Sequence, residues 1–174
     1  MKKSAFVGPA VERLLASEEM KGERLAADLN ISQQLGSHIK NDKRKMQEDI
    51  ARASINLYDN PEYANDILFE FSGGYTSPVF RGKSIEQHRL SIESYTLIEL
   101  KEAIKKLEDV CLAKPPSTIT SIERQEIKNL MEELLDGRAF IDNLLIQLQK
   151  DYRISVKECI RGLLPRWMAK GWLA

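Results

Sequence analysis

The sequence predicts a mainly α-helical chain, with short helices through the first third, long helices in the last half, and a small β-hairpin or structured loop near residues 66–82 between them. Three observations predict it. Apolar residues recur at three- and four-residue spacing over most of the chain. Pro, Asn and Gly punctuate that pattern at helix-length intervals. A hydrophobic content of 43% beside 30% charged residues is that of a folded, helix-rich protein. At 174 residues the chain has room for one domain or two, and the pattern divides it at 1–65, 66–83 and 84–174.

Gly8 and Pro9 introduce the first helix, with proline in the first turn where its missing N–H is no loss, and Val11, Leu14 and Leu15 give it an inner face. Leu25, Ala26 and Leu29 line a second, short helix. A turn follows at Asn30 and Ile31. Ser32 then stands where an N-cap belongs, its hydroxyl free to accept from the N–H groups that open a third helix. That helix exposes Gln33, Gln34, Ser37 and His38. Beyond it Lys40, Lys43, Arg44 and Lys45 stand against Asp42 alone, a local net charge of +3. Met46, Ile50, Ala53 and Leu57, at i, i+4, i+7 and i+11, predict a fourth helix that closes over the pair. Asn60 and Pro61 interrupt it, and a short helix or turn over 62–66 completes the domain.

The stretch LAADLNISQQLGSHIKNDKRK, residues 25–45, resembles the helix-turn-helix of Cro/CI (Xre-type) phage repressors. The match runs through LA-x-x-L-x-[IV]-S-Q-Q, the hydrophobic Ile39, and Asn41 leading into a basic turn; by analogy it covers about residues 8–60, a third of the chain. Two positions depart from the family. Asn30 replaces the usual Gly after the first short helix, a swap that Asn's tolerance of the left-handed conformation permits. Gly36 stands where the family buries a branched aliphatic, so either Leu35 turns inward or the third helix packs loosely.

The resemblance implies a sequence-specific DNA-binding regulator of prokaryotic or phage type, acting by operator occupancy as a dimer. Gln33, Gln34, Ser37 and His38 would read base edges, since glutamine pairs in bidentate fashion with adenine in the major groove. Ser32, Lys40, Asn41, Lys43, Arg44 and Lys45 would hold phosphates. A competing class is a non-enzymatic helical interaction or assembly protein, an adaptor or antagonist without DNA readout.

Residues 66–71, DILFEF, precede SGGYTSPVFRGKS, which holds three of the nine glycines, and the whole is expected to be a linker or structured loop pinned by Phe69, Phe71, Tyr75 and Phe80. The Gly82–Lys83–Ser84 end resembles the tail of a phosphate-binding loop, but the glycine required five residues earlier is Ser77. From Ser84 a helix is expected, with a stripe of Ile85, Ile92, Tyr95, Leu97, Leu100, Ile104 and Leu107, stopped by Pro115 and Pro116. Thr120 and Glu123 form a capping box that opens a helix over 121–150. In it Ile127, Leu134, Ile141 and Leu148 recur every seven residues, with Leu130 and Leu144 between them. A second stripe at Met131, Leu135, Phe140 and Leu145 makes the helix apolar on more than one side. These residues predict dimerisation of the 84–174 region, or a protein partner for it. The C-terminal segment is expected to dock through Val156, Ile160, Leu163, Leu164 and Trp167, with a membrane-surface helix carrying Arg161, Arg166 and Lys170 as the alternative.

Net charge is zero, with 10 Lys+Arg against 8 Asp+Glu in residues 1–55 and 16 against 18 in the rest, so any affinity for DNA must come from the local basic cluster. Cys111 and Cys159 are expected to be buried thiols of a reducing cytoplasm. The start has no apolar stretch long enough for a signal peptide, and no run of about 18 apolar residues occurs. His38 and His88 have no second His or Cys at metal-ligand spacing. Cys111 has no base partner in reach of the pattern, and Glu132, Glu133 and Asp136 read as a solvated helix face. No enzyme, metal or cofactor is expected.

Overall fold

The computed structural model describes residues 1–173 and is mainly helical, with one pairing of two short strands. The chain forms two compact units, residues 1–78 together with 154–173, and residues 79–153.

In the first unit, β1 (Ser4–Ala5) leads into α1 (Gly8–Ser17), α2 (Gly22–Asp28) and α3 (Gln33–Lys40). β2 (Met46–Gln47) returns antiparallel to β1, with Ser4 opposite Gln47 and Ala5 opposite Met46. α4 (Glu48–Leu57) and α5 (Pro61–Ser72) follow. Val11 and Leu14 of α1, Leu25 of α2, Ile39 of α3 and Tyr63, Ile67 and Phe71 of α5 close one hydrophobic core. Arg13 clamps α1 to α5 through Asp66 at 2.7 Å.

The expected boundary at 65/66 falls inside α5, and the DILFEF stretch is helical where a linker was expected. Tyr63, Ile67 and Phe71 recur every four residues, Asn60 caps the helix by accepting from the Tyr63 N–H, and Gly73 at φ 74° ends it. The β-pairing therefore joins residues 4–5 to 46–47 and does not lie near 66–82; residues 73–88 form irregular structure. α4 also differs from its expected face. Met46 belongs to β2, Ala53 and Leu57 are exposed, and the buried side is Ala51 and Ser54. Ser54 is tolerated there because its hydroxyl donates to the Ala51 carbonyl and accepts from the Tyr63 hydroxyl at 2.9 Å. Burial pushes the Tyr63 phenol up to about 12.

The second unit is a hairpin of α6 (Arg89–Asp109) and α7 (Ser121–Tyr152). The helices run antiparallel: Arg89 pairs with Asp151, the Thr96 hydroxyl reaches the Phe140 carbonyl, and Leu100 and Ala103 lie beside Gly137. α6 starts five residues later than expected, with His88 as its cap, and stops at Asp109, before the prolines. Its contact face is Ile92, Thr96 and Ala103; Tyr95, Leu97, Ile104 and Leu107 of the expected stripe are exposed. α7 opens on the expected capping box of Thr120 and Glu123. Lys114 bonds the Glu123 carboxylate at 2.8 Å and, with the Thr120 backbone, holds it down at about 2. Phe80 packs against Phe140 with its ring tilted by 58°, and its N–H donates to the Asn143 side chain at 2.8 Å, so the loop before α6 covers part of α7.

α8 (Val156–Ala169) belongs to the first unit, where the Lys157 ammonium donates to the carbonyls of Ile55 and Asn56 at the end of α4. Ile160 and Leu164 are exposed, and only Val156, Leu163 and Trp167 of the expected docking face are half-buried. Both cysteines are exposed, contrary to expectation. Cys111 falls past the end of α6 and Cys159 on the open side of α8, because apolar neighbours in sequence do not fix which side a helix turns inward. No helix among the described residues is long and apolar enough to cross a membrane.

Candidate nucleic-acid interface

The turn between α2 and α3 is built by its backbone bonds. The Ile31 N–H donates to the Ala26 carbonyl at 2.9 Å and the Asn30 N–H to the Ala27 carbonyl at 3.1 Å, the double closure of a Schellman motif. That motif needs a left-handed residue, and Asn30 supplies it at φ 52°. Ser32 follows in extended conformation, and its hydroxyl accepts from the Leu35 N–H at 3.2 Å. Two short helices are thereby joined by a four-residue turn, Leu29 to Ser32, around the Asn30 and Ile31 turn that the sequence predicts.

Gly36 resolves the departure from the expected pattern. It is buried, and a Cβ built on it would lie 3.4 Å from the Ala26 Cβ and 3.9 Å from Ile31 Cδ1. α3 therefore closes directly onto α2, with Ala26 filling the space that a branched side chain would take. Leu35 packs beside it, half-buried against the core. Of the two alternatives, an inward Leu35 or a loosely packed third helix, the inward Leu35 is the one observed.

The end of α3 repeats the same device. Asp42 is left-handed at φ 51°, its N–H donates to the Ile39 carbonyl, and the Lys43 N–H donates to the His38 carbonyl at 2.8 Å. The Asp42 carboxylate turns inward and accepts from the Gly8 N–H at 2.7 Å. It thus sits at the positive end of α1, where a negative charge is favoured. The one anion of the basic turn is used internally, which leaves the exposed Lys43, Arg44 and Lys45 facing solvent without it.

All ten residues expected to meet DNA lie on α3, its cap or the turn after it. Gln33 and Gln34 are exposed on the first turn, where a recognition helix presents its side chains. Ser37 is exposed, His38 and Lys40 are half-buried, and the Asn41 amide donates to the Ser37 carbonyl at 2.8 Å, so Asn41 also holds the end of the helix. Lys45 lies over the Phe6 ring at 5.3 Å. Sequence reasoning missed Lys21, which lines the cleft between the start of α2 and Gln33, Ser37 and Lys40. Its only signal was the Lys21–Gly22 break ahead of α2. At the other end of α2, Tyr58 donates to Asp28 at 2.8 Å, and burial together with that bond raises its phenol above the ordinary value.

The six expected dimerisation residues divide. Leu130 is buried against α6, Ile127, Leu144 and Leu148 are half-buried, and Leu134 and Ile141 remain 45% and 38% exposed. On the hairpin Glu99, Glu102 and Glu133 bring carboxylate oxygens within 4.8 Å of one another, and burial followed by the neighbouring carboxylates raises Glu99 above its ordinary range. Three oxygen donors are fewer than the six to eight that calcium takes from a protein and water. Comparison with family models, with curated proteins and with solved structures gives no match.

Proposed function

We propose that this chain is a sequence-specific DNA-binding transcriptional regulator of prokaryotic or phage type, non-enzymatic, acting by operator occupancy as a dimer. The reading is supported above all by the α2–turn–α3 geometry: a left-handed Asn30, a Ser32 cap and a close Gly36–Ala26 approach hold Gln33 and Gln34 outward, next to a basic turn whose Asp42 is engaged elsewhere. In this role α3 enters the major groove, Gln33, Gln34, Ser37 and His38 face base edges, and Ser32, Lys40, Asn41, Lys43, Arg44 and Lys45 hold the backbone. Lys21, which lines the same cleft, adds a phosphate contact in this reading.

Replacing Gln33 and Gln34 together by Ala tests the assignment of readout. Both are exposed, so the fold should be unchanged, while preference for the bound sequence should fall by about 1 to 3 kcal/mol for each lost bidentate pair. An unchanged preference removes them from that role. The second reading, an interaction or assembly protein without DNA readout, is favoured by one observation, the apolar side chains that the α6–α7 hairpin leaves uncovered. Salt-dependent retention on DNA separates the two, since only a phosphate-binding surface releases counterions.

A further inference from the structure

The α6–α7 hairpin is covered on one side and open on another. On α6, Ile92, Thr96 and Ala103 face α7, while Leu90, Leu97 and Ile104, spaced by seven, are 56%, 51% and 56% exposed. On α7, Leu130 and Gly137 face α6, while Met131, Leu134, Ile141 and Leu145 are 58%, 45%, 38% and 38% exposed. At 100° per residue both exposed stripes are displaced from the contact seam in the same rotational sense. In an antiparallel pair that places them on one side of the hairpin. The Thr96–Phe140 and Ala103–Gly137 contacts set the register, so Leu97 stands level with Ile141 and Ile104 with Leu134.

The result is two apolar stripes on one side of the hairpin, one from each helix. These seven side chains expose on the order of 700 Å², above the roughly 300 to 600 Å² of the largest patch on an ordinary monomer and close to the roughly 800 Å² per partner of a standard interface. Charge selects this side for pairing. The flank carries Lys101 and Arg124 beside Glu93 and Glu108, with the Lys128–Glu132 and Arg138–Asp142 pairs, so its charges balance and two copies of it meet without net repulsion. The opposite side carries Glu99, Glu102, Glu133 and Asp136, and two copies meeting there would repel.

We infer that this face binds the same face of a second copy of the chain, so that two hairpins form a four-helix bundle in which α6 contributes as much as α7. A two-helix hairpin has one seam and cannot cover a second stripe by itself; a copy related by a two-fold axis covers it with the same residues. The inference specifies the pairing surface of the dimer proposed above and rests on that part of the reading, but its test needs no DNA.

The test is sedimentation of the full chain at micromolar concentration, for the unmodified protein and for Leu97→Glu/Ile104→Glu. Both residues are half-exposed within one chain, so charges there leave the hairpin folded while disrupting the bundle. The expected result is a dimer that dissociates at least 100-fold more readily in the variant, with helical circular dichroism retained, while Glu102→Lys on the acidic side leaves it a dimer. A monomeric unmodified protein overturns the inference, and so does a dimer indifferent to the α6 substitutions. Should the variant lose its helices, hydrogen exchange on the unmodified protein decides: protection of α6 amides that rises with protein concentration supports the face, and protection independent of concentration overturns it. Loss of sequence preference in the Gln33/Gln34 variant with the dimer intact would bear on DNA reading alone.

Discussion

Gly8 and Gly36 are both buried glycines at close approaches, and the structure assigns them opposite tolerances. A Cβ on Gly36 would meet Ala26 at 3.4 Å, ordinary contact, inside a regular helix. Gly36→Ala should therefore be neutral or stabilising by up to about 1 kcal/mol from helix propensity, whereas Gly36→Val must displace Ala26 and should destabilise by about 1 to 3 kcal/mol. A Cβ on Gly8 would stand 2.5 Å from the Lys40 carbonyl oxygen and 2.7 Å from Asp42 Oδ1, so even alanine there forces the α1 start away from the α3 end. Urea melts should rank Gly8→Ala below Gly36→Ala, and the reverse order would mean that α1 does not lock onto α3. Tyr63 carries a pH dependence. Its phenol stands at about 12 in the folded protein against 10.0 unfolded, so its contribution is complete below pH 10 and is lost as pH rises from 10 towards 12. Tyr63→Phe, which loses the bond to Ser54, should be about 1 kcal/mol less stable at neutral pH, with the gap closing and then reversing over that alkaline window. A gap that stays constant with pH would show that the phenol is not held neutral by burial.

At the scale of elements, the proposed function assigns general affinity for DNA to the basic turn after α3. Reversing the charges of Lys43 and Lys45 should weaken binding to all DNA sequences alike and lower the log–log salt slope by about 0.9 for each phosphate contact removed, as read from binding isotherms at several salt concentrations. An unaltered slope would make the turn a solvated surface. This segment was also the most legible in the sequence, because its determinants are local: Asn30 adopts the left-handed turn, Ser32 caps its own helix, and Thr120 with Glu123 boxes another within four residues. What depended on distant neighbours was not legible. β1 and β2 are two residues each, paired across 43 and 41 positions with one core residue apiece, too short to leave an alternation. α5 was divided because Gly73 and Gly74 drew the phenylalanines before them into the reading of a loop. On α6 a single stripe was expected where there are two, since periodicity marks apolar positions but does not say which are covered within the chain.

At the scale of the whole molecule, the two units divide the labour that the proposed function requires. Residues 1–78 hold one α3, which reaches only a few base pairs, and operators read by such modules are paired half-sites about one helical turn apart. In the proposed role the α6–α7 hairpin would supply the two-fold contact that doubles the reader. The central claim, that this chain reads a DNA sequence, is tested most directly by selecting bound sites from a random double-stranded pool with the full-length protein at moderate salt. The account predicts enrichment of one motif, arranged as two inverted halves spaced by about 10 base pairs. A pool that stays random after repeated rounds, while the protein remains folded, would contradict it.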